Sequence, residues 1–474
     1  MKRMMATNEK NSSVLVIGSG IAGMAAGMQL AERGHRVYLL DTAPAIGGSM
    51  HLLDHTFPTD SCGLCLMLPE QPSLCPTLEC ERQERVELLP YAELVGLEGE
   101  PGSFRAKVRH KARYVDLARC TGCGACAVVC PEARPHDHEG WLKPEKAIYR
   151  PAGLRAVPDG WVIDMAYCTR CGACVEGCPE GAVDLEMEAR EEVIEVGAVL
   201  LTPGYRAFEA RLKGEYGYGV YDNVVTALEF ERMVSLAGSS VGHLKRPGDG
   251  RKPKRIAFVQ CVGSRDKLCG AGYCSTVCCM YTAKQVARAK GLEPELEVTV
   301  YYMDLRAMGK GYEAYLAGVR ALPGVEYRRS MPSSVHQREG TGELLVSYVK
   351  EDGRLAEEAH DLLVLAVGLG PPAGMGELAR ELGVALNGYG FAEGDGYHPG
   401  RSNREGVYVA GAFREPKDIP DTVVEAAAAA AEVAAFLEAG VRPESRVSES
   451  ESRNAKREVW EEEPKVGVFV CECD

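Results

Sequence analysis

Residues 120–131 read CTGCGACAVVCP, and residues 168–179 read CTRCGACVEGCP. Each run has the spacing Cys-x2-Cys-x2-Cys-x3-Cys-Pro, which is typical of [4Fe–4S] binding, and in two-cluster proteins the fourth Cys ligates the other cluster. The expected ligands are therefore Cys120, Cys123, Cys126 and Cys178 for one cluster, and Cys168, Cys171, Cys174 and Cys130 for the other. Zinc, which also binds Cys-x2-Cys pairs, is the less favoured alternative because both runs end in Cys-Pro.

These runs predict an inserted bacterial-type ferredoxin domain with two [4Fe–4S] clusters at residues 116–188. Glycines within the runs let each loop fold tightly and turn its amide N–H groups toward the sulfides. His136, His138 and Trp141 lie between the runs. Either histidine is a candidate for tuning a cluster, and a solvated loop is the interpretation that we favour.

The composition limits the class of protein. The 474 residues include 54 Lys and Arg against 68 Asp and Glu, a net charge of −14 that disfavours nucleic acid and anionic membranes as partners. Nineteen Cys without a secretory signal indicate metal ligation in a reducing compartment rather than disulfides. No apolar run approaches the roughly 18 residues of a transmembrane segment. We expect a cytoplasmic protein of several domains.

A dinucleotide-binding fingerprint lies near the start of the chain. The apolar run at 14–17 predicts a buried strand, which leads into GSGIAG, a helix to about Arg33 and a second strand that ends at Asp41. Glycines of this pattern make the turn, admit a pyrophosphate to the helix N-terminus and let helix and strand pack closely. The candidate ligands here are Gly18, Ser19, Gly20, Ile21, Ala22, Gly23, Asp41 and Thr42.

Later segments indicate that the dinucleotide is FAD. A second Gly-Gly, in IGGSM at 46–50, resembles the flavoprotein disulfide-reductase superfamily. The strand-to-glycine segments 199–204 and 363–368 and the closing strand 406–411 resemble the same superfamily. The acid that normally follows the last glycine is replaced by Ala412. The further candidate flavin ligands are Gly47, Gly48, Ser49, Met50, Val95, Gly204 and Gly411, with Val95 on the adenine side.

The turn GAFREPKDIPDT after the closing strand is the candidate catalytic segment. Lys417 is the catalytic candidate, because a cation on this turn would stabilise an anionic reduced flavin; an exposed turn lysine is the alternative. Asp418, Ile419 and Thr422 complete the candidate flavin ligands. An Ala-rich helix at 423–437 is expected to follow and to pack on the flavin domain.

A Cys-rich segment at 55–85 contains Cys62, Cys65, Cys75 and Cys80. Four cysteines in nineteen residues predict a further iron–sulfur cluster. Because the spacing is uneven, a redox disulfide between Cys62 and Cys65 and a set of free thiols both remain alternatives.

A third strand and turn begin at Arg255, where a pyridine-nucleotide reductase would carry a second glycine fingerprint. The sequence instead has Cys-x12-Cys-x3-Cys-Cys at the start of a predicted helix. Thiolates at a helix N-terminus are stabilised there and bind metal readily. The expected ligands of a third [4Fe–4S] cluster are Cys261, Cys274, Cys278 and Cys279, with Cys269 to spare and buried structural cysteines as the alternative.

Together, the flavin fingerprint, FPT followed by CxxC, KARYVDLARCTGCGACAVVCP, the third Cys set and PKDIPDTV resemble the heterodisulfide reductase family, in its flavin-bearing A subunits. The resemblance covers about residues 12–440. It implies a thioredoxin-reductase-like FAD-binding Rossmann fold (α/β), with the flavin able to split an electron pair, and Cys261, Cys274, Cys278 and Cys279 as the flavin-domain cluster ligands. It also implies redox partners that carry clusters or flavin, ferredoxin among them, in a hetero-oligomer.

The resemblance divides the chain into a first FAD-binding part at 1–115, the insert, and a second FAD-binding part at 189–438. The second part includes a Cys-bearing, pyridine-nucleotide-like subdomain at about 250–366. Residues 439–474 are a charged linker and a tail whose VCECD end carries Cys471 and Cys473. From the resemblance, we expect the chain to lack the family's N-terminal Cys-bearing domain and C-terminal ferredoxin domain, and the tail to resemble the start of the former.

The expected function is electron transfer between FAD and clusters within a heterodisulfide-reductase-type complex, with electron bifurcation as an implied possibility. A flavin exchanges two electrons and each [4Fe–4S] cluster one, so the chain converts between the two. A self-contained NAD(P)H:ferredoxin-type oxidoreductase is the first alternative, and the missing second glycine fingerprint speaks against it. A non-enzymatic assembly or redox-sensing module is the second.

Overall fold

The computed structural model describes residues 11–439, apart from 58–75, 138, 152–155, 237, 239 and 395. The strands are β1 (Ser13–Ile17), β2 (Arg36–Asp41), β3 (Val86–Pro90), β4 (Ala92–Glu100), β5 (Ser103–His110), β6 (Ala133–His136), β7 (Gly140–Lys146), β8 (Ile148–Tyr149), β9 (Val162–Ile163), β10 (Arg190–Val196), β11 (Ala198–Leu201), β12 (Arg206–Ala207), β13 (Val224–Thr226), β14 (Arg255–Val262), β15 (Glu297–Tyr301), β16 (Val325–Arg328), β17 (Ser334–Gln337), β18 (Leu344–Val349), β19 (Leu355–His360), β20 (Leu362–Val367), β21 (Leu369–Gly370) and β22 (Val407–Val409). The helices are α1 (Ile21–Glu32), α2 (Pro76–Arg82), α3 (Ala125–Val129), α4 (Ala173–Glu176), α5 (Ala227–Val234), α6 (Cys278–Leu292), α7 (Tyr312–Arg320), α8 (Met375–Glu381) and α9 (Ile419–Glu438).

The first parallel sheet has the order β22-β11-β1-β2-β3. Its central strand β1 is apolar along most of its length, because helices cover one face and a second layer covers the other. Helices α1 and α9 pack on the first face through small residues. The antiparallel sheet β10-β5-β4 and helix α8 cover the second face. This is the Rossmann arrangement that the fingerprint predicts.

The second parallel sheet has the order β13-β20-β14-β15-β16 and repeats this design. Helices α5, α6 and α7 cover one face, and the antiparallel sheet β17-β18-β19 covers the other. Because β13 pairs with β20, this unit draws in residues from 224 onward, earlier than the predicted start near 250. The closing strand β22 then returns to the first sheet beside β11.

The insert leaves and rejoins the flavin body between two paired strands. Strands β5 and β10 run antiparallel in full register, so the chain exits after His110 and returns at Arg190 with its ends close together. The insert has a small core of its own, which includes several of the cluster cysteines. A separate unit of this kind is what the sequence predicts for the two Cys runs.

One element differs from the sequence-based expectation. The sequence of residues 86–97 predicts a strand with an adenine-side loop, but the chain turns at Tyr91, whose φ is +57°, and begins β4 in a different sheet. Val95 lies at the irregular step between Leu94 and Gly96, where β4 bulges against β5. A bulged residue leaves its backbone groups outside the ladder. The predicted adenine-side residue therefore lies within a strand and not in a loop.

Candidate functional site

The first glycine loop is held tightly between two strands. Gly18 has a φ of +103°, and a Cβ atom on it would lie 2.2 Å from the carbonyl oxygen of Thr202. The Thr202 hydroxyl donates to the carbonyl oxygens of Ile17 and Gly18, at 3.1 and 2.8 Å. The end of β11 thus fixes the turn that leads into α1. Thr202 is not among the predicted site residues, although its segment is.

Asp41, at the end of β2, braces this same loop. Its Oδ2 atom accepts from the backbone N–H and the hydroxyl of Ser19, at 2.8 and 2.5 Å. Its Oδ1 atom accepts from the N–H of Ala43 at 2.8 Å. The predicted ribose-binding acid therefore also holds the fingerprint in place. The neighbouring Thr42 carbonyl accepts from Lys111 at 3.4 Å.

The second Gly-Gly lies directly against the first loop. Gly48 has a φ of +55°, and a Cβ atom on it would lie 2.7 Å from the Cα atom of Gly20. The Gly47 N–H donates to the Ser19 carbonyl at 3.0 Å. Ser49 hydrogen-bonds the hydroxyl of Tyr205, whose pKa is raised by burial. The structure therefore brings residues 47–49, the fingerprint and the 204–205 turn together as one backbone-lined cradle.

This cradle fits a dinucleotide with a flavin end. Two glycine backbones approach closely, and the N-terminus of α1 begins at the N-cap Gly20, where N–H groups attract a pyrophosphate. A Cβ atom added to Gly204 would meet no other atom within 4 Å, so the space beside this glycine is open. Gly411, after the closing strand, lies against Ala22 of the fingerprint, since its Cβ atom would be 2.9 Å from the Ala22 Cβ atom.

The closing turn places Lys417 in the interior. Its side chain is 8% exposed, and its Nζ atom donates to Glu425 of α9 at 2.6 Å. The alternative of an exposed turn lysine is therefore wrong. Asp418 caps α9 by accepting from the N–H of Asp421, and it also accepts from the Tyr312 hydroxyl at 2.7 Å. The role of Lys417 toward a flavin stays a prediction.

The remaining residues of this turn belong to the start of α9. Ile419 is its first residue, and the Thr422 hydroxyl donates to the Asp418 carbonyl at 2.6 Å. Thr422 is buried, and its methyl group lies 3.5 Å from the position of a Cβ atom on Gly411. These residues thus shape the wall of the turn, and their contact with a cofactor remains predicted.

The eight cysteines of the insert line two small pockets. The first is lined by Cys130, Cys168, Cys171 and Cys174, and the second by Cys120, Cys123, Cys126 and Cys178. The structure therefore groups the cysteines in the crossed sets that the spacing predicts. Helices α3 and α4 each begin at a glycine in the left-handed region, Gly124 and Gly172, both with a φ of +81°.

The environment of these cysteines suits iron–sulfur ligation. Backbone N–H groups donate to sulfur, from Arg170 to Cys168 at 3.4 Å and from Ala182 to Cys178 at 3.3 Å. Such bonds and burial set cluster potentials. Burial raises the pKa of Cys126 to about 11, so iron must displace a proton on binding. Within the described ranges, no three His, Cys, Asp or Glu side chains are placed to hold a single metal ion.

His136 does not lie in a solvated loop, and the favoured interpretation is wrong for it. It is 7% exposed at the end of β6, accepts from the Glu139 N–H at 3.3 Å and has its pKa lowered by burial. His138 lies outside the described residues, and so do Cys62, Cys65, Cys75, Cys471 and Cys473. Cys80 is fully buried in α2, in the core of the first sheet.

The third cysteine set occupies the phosphate-loop position of the second sheet. Cys261 lies near the end of the first strand, β14, and Cys278 and Cys279 begin α6. The thiols of Cys261, Cys274, Cys278 and Cys279 are within electrostatic reach of one another, whereas Cys269 donates to Asp266 at 3.4 Å. Burial, followed by the neighbouring Cys279, raises the pKa of Cys261 to about 11.

The backbone of this loop is unusually constrained. Cys261, Arg265 and Thr276 all have a φ near +60°, a backbone conformation that residues other than glycine rarely adopt. Residues held in such conformations concentrate at functional sites, where the surrounding structure compensates the strain. N–H groups of Thr276 and Arg306 donate to the sulfurs of Cys274 and Cys279, at 3.3 and 3.4 Å.

Arg265 is a site residue that the sequence did not single out. Its guanidinium lies near the Cys261 thiol, where its charge acts to lower the pKa of that thiol, and it forms an ion pair with Asp304, which follows β15. A cation at a thiolate stabilises the reduced cluster, since reduction adds negative charge. We expect Arg265→Gln to lower the reduction potential of the third cluster, with its reduction equilibrium shifted about tenfold, or about 60 mV for one electron.

The measurement is an EPR-monitored reductive titration of the purified chain. Arg329→Gln is the matched control, because this exposed guanidinium donates to the Met303 carbonyl and not to a thiol. If the reduction potential of the third cluster is unchanged in Arg265→Gln, or shifts equally in both variants, Arg265 does not stabilise the reduced cluster as expected.

The loop that carries the third cysteine set contacts the closing turn directly. The Thr276 hydroxyl donates to the carbonyl oxygen of Pro416 at 3.1 Å, and Pro416 precedes Lys417. On the other side, the Tyr281 hydroxyl donates to the Val367 carbonyl at 2.8 Å and also hydrogen-bonds Cys278. One hydrogen bond therefore separates the third cysteine loop from the turn predicted to lie over the flavin.

The sequence predicts that the chain has no transmembrane segment, and the lengths and hydropathy of the described helices can be compared with that prediction. Among them, none is both long and apolar enough to cross a bilayer.

Comparison with protein families assigns the parts of the chain. Residues 119–182 match the 4Fe-4S dicluster domain, and residues 16–63 match the NAD(P)-binding Rossmann-like domain. Residues 168–430, more than half of the chain, match pyridine nucleotide-disulphide oxidoreductase. FAD and iron–sulfur clusters are thus supported as the cofactors, and iron–sulfur clusters replace the zinc alternative for the insert.

Curated relatives support the resemblance found in the sequence. The iron-sulfur A subunit of the CoB–CoM heterodisulfide reductase of Methanocaldococcus jannaschii is 42% identical over 432 residues, which cover 90% of this chain and 64% of the relative. The A subunit of the H2/formate:CoB-CoM heterodisulfide,ferredoxin reductase of Methanococcus maripaludis is 43% identical, covering 91% and 65%. The chain therefore spans just under two thirds of these relatives.

Among solved structures, the thioredoxin reductase of Lactococcus lactis is 16% identical, covers 90% of this chain and 99% of that chain, and has a TM-score of 0.49. The family matches, the two Rossmann sheets and the curated relatives agree with one another. The chain belongs to the pyridine nucleotide-disulphide oxidoreductase family, and its predicted kinship with the A subunits of heterodisulfide reductases is confirmed.

Proposed function

We propose that this chain is the FAD- and iron–sulfur-bearing electron-transfer subunit of a heterodisulfide-reductase-type complex. Its relatives are named as the A subunits of such reductases, and its family is one of oxidoreductases. When bound, FAD exchanges electrons in pairs and each [4Fe–4S] cluster exchanges them singly. The chain's share is to hold these groups close together and to set their potentials.

The observation that carries the proposal is the contact between Thr276 and Pro416. Thr276 lies between Cys274 and Cys278, and Pro416 lies in the turn that closes the flavin cradle. A cysteine set in this place has a flavin as its immediate neighbour. Cys278 and Cys279 are 5% and 6% exposed, so both residues are largely shielded from solvent.

In the described part of the second sheet, an aromatic ring lies over the turn at which a nicotinamide dinucleotide would be expected, and this speaks against such a site. A Cβ atom on Gly263 would lie 2.0 Å from the ring of Phe208, so this ring covers the turn at the end of β14. The strand that would carry a glycine fingerprint carries Cys261 instead. This arrangement supports exchange of electrons through cysteine-bound clusters. Neither a self-contained NAD(P)H oxidoreductase nor a redox-sensing module is favoured by the named relatives.

The cofactor set that we propose is one FAD, two clusters in the insert and a third on the cysteine set at 261–279. A fourth cluster on Cys62, Cys65, Cys75 and Cys80 belongs to the proposal, and three of its four ligands lie outside the described residues. Because the relatives are named as subunits of reductases, we propose that other redox subunits, ferredoxin among the exchange partners, form a hetero-oligomer with this chain. Electron bifurcation is proposed for that complex and not for this chain alone.

The test is the iron and flavin content of anaerobically purified chain, with EPR spectra during reductive titration. Three clusters give about twelve irons per FAD, and a fourth on the Cys-rich segment gives about sixteen. About eight irons would contradict the third set, and a chain purified without any flavin would overturn the proposed function.

A further inference from the structure

Glu425 is a buried carboxylate that neither the motifs nor the proposed electron path use. It lies on α9, between alanines and valines, and only 8% of its side chain is exposed. A buried charge is strongly unfavourable unless it is paired and hydrogen-bonded. Its presence on an otherwise apolar helix face therefore calls for partners, and these partners all come from one turn.

The three partners lie within residues 411–417. The Oε2 atom of Glu425 accepts from the Gly411 N–H at 2.7 Å and from Lys417 at 2.6 Å. Its Oε1 atom accepts from Arg414 at 2.6 Å. Glu415 also lies 3.5 Å from Lys417, but it is 61% exposed and its charge is screened by water. One carboxylate thus gathers both cations and the glycine amide of the turn.

This carboxylate contacts a turn whose own sequence lacks the usual acid. The superfamily resemblance predicts an acid directly after the closing glycine, where this chain has Ala412. In the structure, a carboxylate reaches the Gly411 amide from α9 instead. Because Gly411 lies against Ala22 of the first glycine loop, the carboxylate is at the edge of the cradle.

We propose that Glu425 is a positioning residue for the flavin, which fixes Lys417 at the cradle and sets the net charge of the closing turn. This inference rests on the proposed function, that FAD binds in this cradle. Arg414, Lys417 and Glu425 together carry one net positive charge, and the exposed Glu415, 3.7 Å from Arg414 and 3.5 Å from Lys417, offsets it only in part because water screens its charge. That charge stabilises a reduced, anionic flavin, and the carboxylate limits the stabilisation.

The proposal predicts the direction of three changes in the flavin. Glu425→Gln keeps the shape of the side chain but removes its charge, which leaves Lys417 and Arg414 uncompensated and favours the reduced flavin. Lys417→Met removes a cation and favours the oxidised flavin. With Lys417 absent, the effect of Glu425→Gln falls, because part of it acts through Lys417.

The experiment measures the flavin midpoint potential of the full chain by spectroelectrochemical titration, together with flavin per chain. We expect Glu425→Gln to shift the reduction equilibrium about tenfold toward reduced flavin, and Lys417→Met to shift it the other way. In the double variant the Glu425→Gln effect should fall to less than half. Glu432→Gln is the matched control on α9, since Glu432 pairs with Arg401 and His398, and it should leave the potential unchanged.

An unchanged potential in Glu425→Gln with flavin bound overturns the inference and leaves the proposed function standing. A Glu425→Gln effect on the flavin potential that is equally large without Lys417 overturns it as well, because Glu425 then acts on the flavin without positioning Lys417. If Glu425→Gln fails to fold, Glu425→Asp keeps the charge with a shorter reach; a near-normal flavin potential supports the inference, and a shift as large as that expected for Glu425→Gln contradicts it. A wild-type chain without flavin refutes the proposed function itself.

Discussion

We expect the Gly18→Ala chain to be purified without flavin, while the Gly34→Ala chain retains it. Both glycines have a positive φ, +103° at Gly18 and +94° at Gly34. An alanine therefore meets about the same backbone penalty at either place, roughly 1–2 kcal/mol. The two sites differ in space, since a Cβ atom at Gly34 would meet nothing within 4 Å.

At Gly18 the added methyl group would lie 2.2 Å from the Thr202 carbonyl oxygen, a backbone atom that cannot turn away. The Thr202 hydroxyl also ties β11 to the Ile17 and Gly18 carbonyls, so the loop cannot move alone. Relief of the clash must displace the N-terminus of α1. That displacement removes the N–H groups that would hold a pyrophosphate.

The measurement is flavin absorbance per chain, with thermal unfolding of each variant. Flavin retained in full by Gly18→Ala would contradict the cradle assignment. Equal loss from both variants would show that backbone strain, and not crowding against Thr202, is responsible.

The sequence reveals those parts of the site that depend on local spacing. The Cys runs predict the crossed grouping around two pockets, because in two-cluster proteins with this spacing the fourth Cys of each run ligates the other cluster. The fingerprint predicts the tight loop at Gly18, because only glycine fits that turn. The Cys-x12-Cys-x3-Cys-Cys set likewise predicts a strand end and a helix start, which β14 and α6 supply.

The parts that it does not reveal are contacts between distant segments. The sequence around Lys417 does not show that this lysine forms a buried ion pair with Glu425 of α9. The local pattern therefore does not decide how exposed Lys417 is. The bond from Thr276 to Pro416 joins residues 140 positions apart. Likewise, His136 looks like a loop residue until a distant element covers it.

Helix α5 contacts the insert near His136, and this contact carries a stability prediction. Arg232 of α5 donates to Glu139 at 2.9 Å, with side chains 5% and 1% exposed. Glu139 lies in the insert and Arg232 in the second Rossmann unit. Removing one partner of such a pair leaves a buried charge, at a cost of about 3–5 kcal/mol.

We therefore expect Arg232→Ala to lower the free energy of unfolding of the insert by about 3–5 kcal/mol. Arg150→Ala is the matched control within the insert, because Arg150 and Asp159 form an exposed ion pair, worth at most about 1 kcal/mol. Urea unfolding under anaerobic conditions, followed by the loss of cluster absorbance, measures both variants.

A double variant separates charge from shape at this junction. Arg232→Met with Glu139→Met replaces both charges by apolar side chains, and such replacements of buried pairs are often neutral or stabilising. The double variant should then be more stable than Arg232→Ala, although it has lost the same ion pair. If Arg232→Ala unfolds like the wild type, the pair does not hold the insert. If the double variant is the least stable of the three chains, directional hydrogen bonds, and not charge compensation, hold the insert on the flavin body. The same bonds would then fix the separation between the cysteines of the insert and the third cysteine set.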